Sequence, residues 1–243
     1  MEKMKAMVST RYGGPEILQL QQVDKPIPKG NEVLVKIKSS SITTAETMMR
    51  TGYPIIGRLF IGLLKPKNPI SGTGFSGIIK KVGSKVNRFK VGDKVFGESL
   101  NTFGTYAEYI CIEENGIIEK LPENISYEEA AVIGDGPITS LNFLRNLGEI
   151  KEHHNILIIG ASGSLGTAAV QIAKNAGAKV TGVCSTKNIQ LVESLGADKV
   201  IDYNNEDFSS IGKTYDIIYD TIGVSSFSPV SYTHLTLPTT PYV

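Results

Sequence analysis

The sequence predicts an α/β protein in which a β-rich first half precedes the opening part of a doubly wound parallel sheet. Short strand patterns separated by glycine and proline turns run to about residue 125, and strand and helix patterns alternate after it. The 243 residues are 41% hydrophobic and 20% charged, which is typical of a globular protein with a substantial core. We therefore predict one domain over residues 1–125 and a second over residues 126–229.

The first half is predicted to be a compact, barrel-like β domain. Glu32–Lys38 alternates apolar and polar side chains with period two, which predicts a half-buried strand. Further strands are predicted at Ser76–Val82, Lys94–Phe96 and Tyr106–Ile112. Several short strands with turn residues between them are typical of a barrel.

The second half follows a βαβαβ order. Asn155–Ile159 is a continuous apolar strand, the kind that is buried on both faces of a parallel sheet. Ser126 is predicted to cap the first helix of this region. Pro137–Leu147 is predicted to be one helix with Leu141, Leu144 and Leu147 on one apolar stripe. The remaining elements are helices at Ser164–Ala176 and Ile189–Leu195 and strands at Lys179–Cys184, Lys199–Ile201 and Tyr215–Tyr219.

A glycine-rich turn joins the strand at Asn155–Ile159 to the following helix. Gly160 permits the tight turn, Gly163 lets the backbone approach a pyrophosphate, and Gly166 allows the helix to pack on the sheet. Free amides at the helix start would face the phosphates. The predicted cofactor-binding residues here are Gly160, Ser162, Gly163, Ser164, Leu165 and Gly166. The alternative is a tight strand-to-helix connection without a ligand.

The end of the second strand favours NADPH over NADH. An acidic residue there would bind the ribose hydroxyls of NAD, but the segment instead carries Ser185, Lys187 and Asn188. A lysine attracts a 2′-phosphate that a carboxylate would repel. Tyr203 could close over the adenosine phosphate. The alternatives are a solvated turn around Lys187 and ordinary surface packing of Tyr203.

Several function classes are excluded by composition. The 25 basic and 24 acidic residues nearly cancel, so we expect no nucleic-acid partner. The most apolar stretch, Ile55–Leu64, is short and contains Arg58, so we expect no membrane span. Cys111 and Cys184 form neither a disulfide framework nor a CxxC pattern and are predicted to be reduced thiols. With no secretory signal at the N-terminus, we expect a cytoplasmic protein.

Longer motifs then carry a family resemblance. The segments Gly72–Gly83, Val86–Gly97 and Gly104–Tyr109 resemble the medium-chain dehydrogenases/reductases. Gly160–Ala178, with LGAD at 195–198 and IDY at 201–203, is similar to the quinone oxidoreductase branch of that family. The likeness covers about residues 4–223. It implies a GroES-like catalytic domain, then a Rossmann cofactor domain, with the active site in the cleft between them. It also implies a homodimer for the full-length protein.

The departures from the family place this chain in its zinc-independent subclass. Zinc-dependent members carry a cysteine ligand where this chain has Ser41–Glu46, and Gly-His-Glu where it has Gly72-Thr73-Gly74. The four-cysteine structural zinc lobe is also missing. A catalytic zinc needs about three protein ligands, so we predict no metal site. A zinc-type alcohol dehydrogenase is the disfavoured alternative.

The resemblance also implies the reaction and its residues. Hydride would pass from NADPH to a quinone, an enone or a related carbonyl compound. Tyr53 matches a tyrosine near the family's substrate cleft and is predicted to contact substrate or donate a proton; packing beside Pro54 is the alternative. Thr43 could bond a substrate oxygen or cap the helix predicted at Ala45–Arg50.

Two further positions belong to the cofactor side. Thr139 matches the family threonine at the nicotinamide end, and its alternative role is a bond to its own helix backbone. Asp135 is either a tuned acid or a turn residue that caps the helix from Pro137. A non-catalytic NADPH-binding protein of the same fold stays open as a second function.

The last residues do not fit the predicted fold. Residues 230–239, VSYTHLTLPT, look like a translated sequencing adapter, so 230–243 are predicted to be a non-native tail. The alternative is a genuine divergent tail. The Rossmann domain would then be incomplete. We therefore expect this polypeptide to bind NADPH weakly and to catalyse poorly.

Overall fold

The computed structural model describes residues 2–100 and 102–224. The chain divides into two compact units at Gly134/Asp135. The sequence placed the change at residue 125, but helix α3 (Tyr127–Ala131) packs on the sheet of the first unit. The tail predicted at 230–243 lies outside the described residues.

The first unit contains two antiparallel sheets in its described part. The strands are β1 (Lys3–Val8), β2 (Gln19–Asp24), β3 (Glu32–Ser40), β4 (Gly74–Val82), β5 (Lys94–Glu98), β6 (Tyr109–Glu113) and β7 (Ile117–Lys120). Strands β1 and β2 form a pair, and the remaining strands form a five-stranded sheet in the order β6-β3-β4-β5-β7. That sheet is curled, as predicted for a GroES-like domain, and register shifts between β3 and β4 contribute to the bend.

The core of the first unit lies on one face of the five-stranded sheet. Val33, Val35, Phe75, Ile79 and Val95 are fully buried there, together with Ile110, Ile112 and Ile118. The alternation predicted for β3 is confirmed at its inward positions. Its centre is covered on both sides, however, because the intervening Leu34 is also buried.

Short helices connect the strands of the first unit. Helices α1 (Thr44–Thr51) and α2 (Arg58–Ile61) lie between β3 and β4, and single helical turns occur at Pro15–Ile17 and Ile55–Gly57. The predicted cap at Ser126 is confirmed, since its hydroxyl accepts from the Glu129 amide at 3.2 Å. Within residues 2–100 and 102–224, no helix combines the length and apolarity needed to cross a membrane.

The second unit is built on a parallel sheet. Its described strands are β8 (Asn155–Ile159), β9 (Lys179–Cys184), β10 (Lys199–Asp202) and β11 (Ile217–Asp220), in the order β10-β9-β8-β11. This is the order of the first four strands of a Rossmann sheet. The helices are α4 (Gly136–Leu141), α5 (Ser164–Asn175) and α6 (Ile189–Ser194), with single turns at Thr186–Asn188 and Phe208–Ser210.

Strand β8 is buried on both faces, as its apolar run predicts. Ile156 and Ile158 pack with residues of α5 and β9 on one face. Leu157 and Ile159 belong to a second cluster on the opposite face. The Rossmann prediction is therefore confirmed in the arrangement of the strands and in their burial.

The helix predicted at Pro137–Leu147 differs from expectation. Regular α-helix ends at Leu141 and a π-helical segment continues over Asn142–Leu147. The predicted leucine stripe is wrong: Leu144 is 1% exposed, whereas Leu141 and Leu147 are 40% and 56% exposed. Residues three apart point in somewhat different directions around an α-helix. The wider turn of a π-helix increases the angle between them, so the three leucines do not face the same side.

Candidate functional site

The glycine-rich turn lies at the carboxyl end of β8. Gly160 has φ +77°, and a Cβ there would clash with the side chains of Thr221 and Ile222, which follow β11. The amides of Gly160 and Ala161 both donate to the Val183 carbonyl, at 3.1 and 2.9 Å. The turn is therefore fixed by the two neighbouring strands.

Helix α5 begins directly from this turn with its first amides uncapped. Gly163 is the N-cap and offers no side chain, so the amides of Ser164 and Leu165 have no intrahelical or capping acceptor. Gly166 is buried, and a Cβ there would overlap the Gly160 carbonyl. A Cβ on Gly163 would meet only that same carbonyl, at 3.4 Å. The exposed helix start thus suits the phosphates of a dinucleotide.

A second group of predicted residues meets beside this turn. The side-chain amide of Asn188 donates to the Ser162 hydroxyl at 2.9 Å and to the Ser185 hydroxyl at 3.3 Å. These contacts join the loop after β8 to the loop after β9. Lys187 lies in the same loop and is exposed. The structure thus brings together hydroxyl groups, an amide and a cation at one edge of the sheet.

An acidic residue that the sequence interpretation missed lies one strand further along. Asp202 is the last residue of β10. Its carboxylate accepts from the Thr186 hydroxyl at 2.6 Å and from the side-chain amide of Asn205 at 2.8 Å. These bonds, the Thr186 bond first, lower the pKa of Asp202 below its ordinary value. The adjacent Tyr203 is 54% exposed, and its backbone amide donates to Cys184 at 3.1 Å. The signal was present in the IDY segment as an acid at a strand end.

Helix α4 packs beside the start of α5. The buried Ser140 hydroxyl donates to the Leu165 carbonyl at 2.8 Å. Gly136 lies so close to Ser164 that a Cβ would overlap its hydroxyl. Thr139 is half-buried on α4, and its contact with the nicotinamide stays a prediction. Asp135 occupies the N-cap position, but the predicted cap is wrong because its side chain makes no capping bond.

The predicted catalytic residues lie in the first unit, at opposite ends of α1. Thr43 is the N-cap, and its hydroxyl accepts from the Glu46 amide at 3.3 Å, which confirms the capping interpretation. Tyr53 follows the C-cap Gly52 and is 70% exposed. An eight-residue helix is about 12 Å long, so the structure does not bring Thr43 and Tyr53 together.

A buried carboxylate that the sequence interpretation missed connects α1 to the loop before β4. Glu46 is 3% exposed. It accepts from the Thr73 amide at 2.8 Å and from the Thr73 hydroxyl at 3.2 Å. It also accepts from the Thr43 amide at 2.7 Å and the Tyr106 hydroxyl at 2.6 Å. Burial, together with this bond, raises the pKa of Tyr106.

Glu46 therefore joins the two segments in which zinc-dependent members carry ligands. Ser41 is 5% exposed, and its hydroxyl has no hydrogen-bond partner among the described residues. Gly74 lies against it, since a Cβ on Gly74 would overlap this hydroxyl. Across residues 2–100 and 102–224, no three His, Cys, Asp or Glu side chains are grouped so as to hold a metal ion. Independence from zinc stays a prediction from the sequence departures.

The first unit also contains a cavity of about 240 Å³. Its apolar lining comes from Met49, Phe60, Ile61, Pro66 and Phe103. Its polar lining comes from Ser9, Arg50, Lys67, Asn68 and Ser71. Neither Thr43 nor Tyr53 lines this cavity.

Comparison with known proteins follows the division into two units. The family model described as the alcohol dehydrogenase GroES-like domain matches residues 29–123. The model described as zinc-binding dehydrogenase matches residues 164–237. The first covers most of the curled sheet, and the second covers α5 and the strands that follow it.

Individual relatives agree with these matches. A chloroplastic quinone-oxidoreductase homolog of Spinacia oleracea is 36% identical over 235 residues, covering 89% of this chain and 68% of the relative. The 2-methylene-furan-3-one reductase of Solanum lycopersicum is 32% identical over 231 residues, covering 91% of this chain. The chain spans only 58% of the length of that reductase.

A solved structure agrees as well. The quinone oxidoreductase from Coxiella burnetii superposes with a TM-score of 0.82 at 30% identity, covering 91% of this chain and 69% of that one. Sequence, strand order and the glycine-rich turn lead to the same assignment. The chain belongs to the medium-chain dehydrogenase/reductase family, in its quinone oxidoreductase branch.

Proposed function

We propose that this protein is an NADPH-dependent oxidoreductase that reduces a quinone, an enone or a related carbonyl compound without zinc. The observation that carries the proposal is the cluster of Ser162, Ser185 and Asn188, with the exposed Lys187 in the same loop, beside the uncapped start of α5. The names of the spinach and tomato relatives support this class of acceptor. When bound, the nicotinamide supplies the hydride.

The preference for NADPH follows from charge and hydrogen bonding. A 2′-phosphate offers several acceptor oxygens and a negative charge, which match the two serine hydroxyls and the Lys187 ammonium. The Asn188 side chain donates to both serines, so it would orient their hydroxyl protons toward the phosphate. The amides of Ser164 and Leu165 and the dipole of α5 would hold the pyrophosphate. Each of these groups belongs to the second unit, so all of the proposed contacts with the dinucleotide phosphates come from that unit.

On the acceptor side, Tyr53 and Thr43 supply hydroxyl groups. The Tyr53 side chain is exposed and free of burial constraints, so its hydroxyl could donate to a substrate oxygen. The Thr43 hydroxyl accepts the Glu46 amide as a cap, which leaves its proton for donation. Tyr53 is the proposed substrate contact or proton donor, and Thr43 the proposed second hydrogen-bond donor.

Titration calorimetry with NADPH and NADH tests the cofactor assignment. We expect the chain to bind NADPH more tightly, and Lys187→Ala to weaken NADPH binding about tenfold with little effect on NADH. Lys199→Ala is the matched control. Lys199 is also an exposed lysine, but it begins β10 and so lies at the end of that strand away from the proposed cofactor site. Equal affinities of the unchanged chain for NADPH and NADH would overturn the NADPH assignment.

An acceptor panel run on the full-length protein tests the activity, because this polypeptide by itself is expected to catalyse poorly. We expect NADPH oxidation with quinones or enones, and we expect added chelator to leave the rate unchanged. Stoichiometric NADPH binding without oxidation by any quinone, enone or aldehyde would identify a non-catalytic NADPH-binding protein instead. The homodimer and the cytoplasmic location stay predictions, and light scattering of the full-length protein tests the first.

A further inference from the structure

We infer that Asp202 is a positioning residue for NADPH specificity: it holds the loop Ser185–Asn188 and Tyr203 in one arrangement around the 2′-phosphate. This inference rests on the proposed function, since it concerns how the same site distinguishes NADPH from NADH. Asp202 would not contact the cofactor itself. It would act through the loops that do.

The carboxylate lies where the loops after two adjacent strands begin. Asp202 ends β10 and is paired in register with Cys184, which ends β9. Its Oδ2 accepts from Thr186 in the first loop at 2.6 Å and from Asn205 in the second at 2.8 Å. Its Oδ1 accepts from the Asn204 amide at 3.0 Å. One side chain thus connects both loops.

Thr186 transmits this anchoring to the proposed phosphate ligands. It begins the single helical turn Thr186–Asn188, so it is bonded directly to Ser185 and Lys187 in the chain. Its hydroxyl also accepts from the Asn204 side chain at 3.2 Å. At the other end of that turn, Asn188 reaches Ser162 and Ser185. Fixing Thr186 therefore fixes the direction of the whole turn.

Tyr203 is held by the same residue from the other side. It directly follows Asp202, and its amide donates to the Cys184 carbonyl at 3.1 Å. The amides of Asn205 and Glu206 donate to the Asp202 carbonyl at 3.0 and 2.9 Å. The backbone around Tyr203 is therefore a closed turn centred on Asp202.

The negative charge of Asp202 is compatible with a phosphate bound nearby. Asp202 is 9% exposed, and both of its oxygens accept hydrogen bonds from protein groups. A carboxylate engaged in this way is not available to bind ribose hydroxyls, which is the role of an acid in NAD-specific sites. An asparagine could not replace Asp202. Both carboxylate oxygens accept hydrogen bonds, so the NH₂ group of an asparagine would face a hydrogen-bond donor in either orientation.

The test uses cofactor fragments that differ only in the 2′-phosphate. Calorimetry would measure the binding of 2′,5′-ADP and 5′-AMP to the chain, to Asp202→Asn, to Thr186→Val and to the double variant. We expect each single variant to reduce the ratio of the two affinities at least about fivefold. The double variant should be no worse than Asp202→Asn alone, because that variant already disrupts the connection to Thr186.

Asp207→Asn is the matched control. Asp207 also bonds a loop hydroxyl, that of Ser209 at 2.7 Å, but among the described residues no hydrogen bond joins its side chain to Thr186 or Tyr203. We expect this variant to keep the ratio. A merely structural role for Asp202 would weaken both fragments equally, and an unchanged ratio in Asp202→Asn and Thr186→Val overturns the inference. Thr186→Val alters an exposed side chain, so it keeps the test valid if Asp202→Asn does not fold.

Hydrogen exchange separates this inference from the proposed function. In the ligand-free chain, we expect Asp202→Asn to speed exchange of the Asn188 and Tyr203 amides and to leave the β8 amides unchanged. Unchanged exchange at Asn188 and Tyr203 would contradict the positioning role whatever the cofactor is. If the unchanged chain does not prefer 2′,5′-ADP while exchange responds as expected, the NADPH assignment fails and the anchoring by Asp202 stands.

Discussion

The Glu46 carboxylate accepts both the backbone amide and the hydroxyl of Thr73, at 2.8 and 3.2 Å. This pair joins α1 to the loop before β4, where zinc-dependent relatives would place metal ligands. The same carboxylate also accepts from Tyr106 and from the amide of the Thr43 cap. A hydrogen-bonded acid therefore connects these segments in the first unit.

Replacing Glu46 with glutamine should destabilise the first unit. The glutamine NH₂ group would face donors at one of the two carboxylate positions, which leaves a buried N–H group unpaired. We expect Glu46→Gln to lower the free energy of unfolding by about 2–3 kcal/mol in urea denaturation. Glu128→Gln, on the exposed first turn of α3, is the control and should change it by less than about 0.5 kcal/mol. A Glu46→Gln effect as small as the control would contradict the role of this carboxylate.

Two glycines of the turn after β8 should respond differently to alanine. At Gly166 the new methyl group overlaps the Gly160 carbonyl, so Gly166→Ala should lower the melting temperature or prevent folding. At Gly163 the methyl group meets that carbonyl only at 3.4 Å, so the fold should tolerate it. Gly163→Ala should nevertheless weaken NADPH binding at least about tenfold, because the methyl group would occupy the pyrophosphate approach. Full NADPH affinity in Gly163→Ala would refute the proposed cradle.

The proposed role of Tyr53 is testable without disturbing the fold. Its side chain is 70% exposed, so Tyr53→Phe should leave the melting temperature unchanged. Loss of a hydrogen bond or proton donor to the acceptor should lower kcat/KM about 10- to 100-fold. NADPH affinity should stay constant, which separates an acceptor role from a cofactor role. Unchanged kcat/KM with quinones and enones would eliminate Tyr53 as substrate contact and proton donor.

The two cysteines should be poorly reactive in the folded chain. Burial raises the pKa of Cys111 to about 12 and also raises the pKa of Cys184, which is 1% exposed. Because the thiolate is the reactive form, labelling by a thiol reagent at pH 8 should be at least about 100-fold slower than in the unfolded chain. Cys111→Ser and Cys184→Ser identify which thiol reacts. Rapid labelling of either thiol in the native state would contradict its raised pKa.

Acid stability should depend on the Thr186–Asp202 bond. The bond helps lower the folded-state pKa of Asp202 below its ordinary 3.8, so the folded chain binds this proton less tightly than the unfolded chain does. The resulting stabilisation is complete above pH 3.8 and is lost as the pH falls through the lowered folded value. Thr186→Val should therefore show a shallower loss of stability between about pH 4 and pH 2. Thr214→Val is an exposed control, and identical slopes for both variants would argue against the shift.

Much of the fold could be predicted because its signals are local. The apolar run of β8, the glycine spacing after it and the caps at Thr43 and Ser126 each depend on neighbouring residues. Strands β1, β2 and β7 were not predicted. β2 is almost wholly exposed and shows no alternation in burial, whereas β1 alternates and carried a usable signal. The leucine stripe failed because a π-helical segment changes the angular step.

The sequence by itself determined the two-part α/β organisation, the glycine-rich turn and the polar segment Ser185–Asn188, because strand periodicity and turn chemistry act over a few residues. Only the tertiary structure decided that Asn188 meets Ser162, that Asp202 holds Thr186, and that Glu46 meets Thr73 and Tyr106. These partners are 16 to 60 residues apart in the chain. These residues meet because the strand order brings distant loops together and because buried polar groups need hydrogen-bond partners. Strand order and burial are set by the whole fold and cannot be inferred from a short segment.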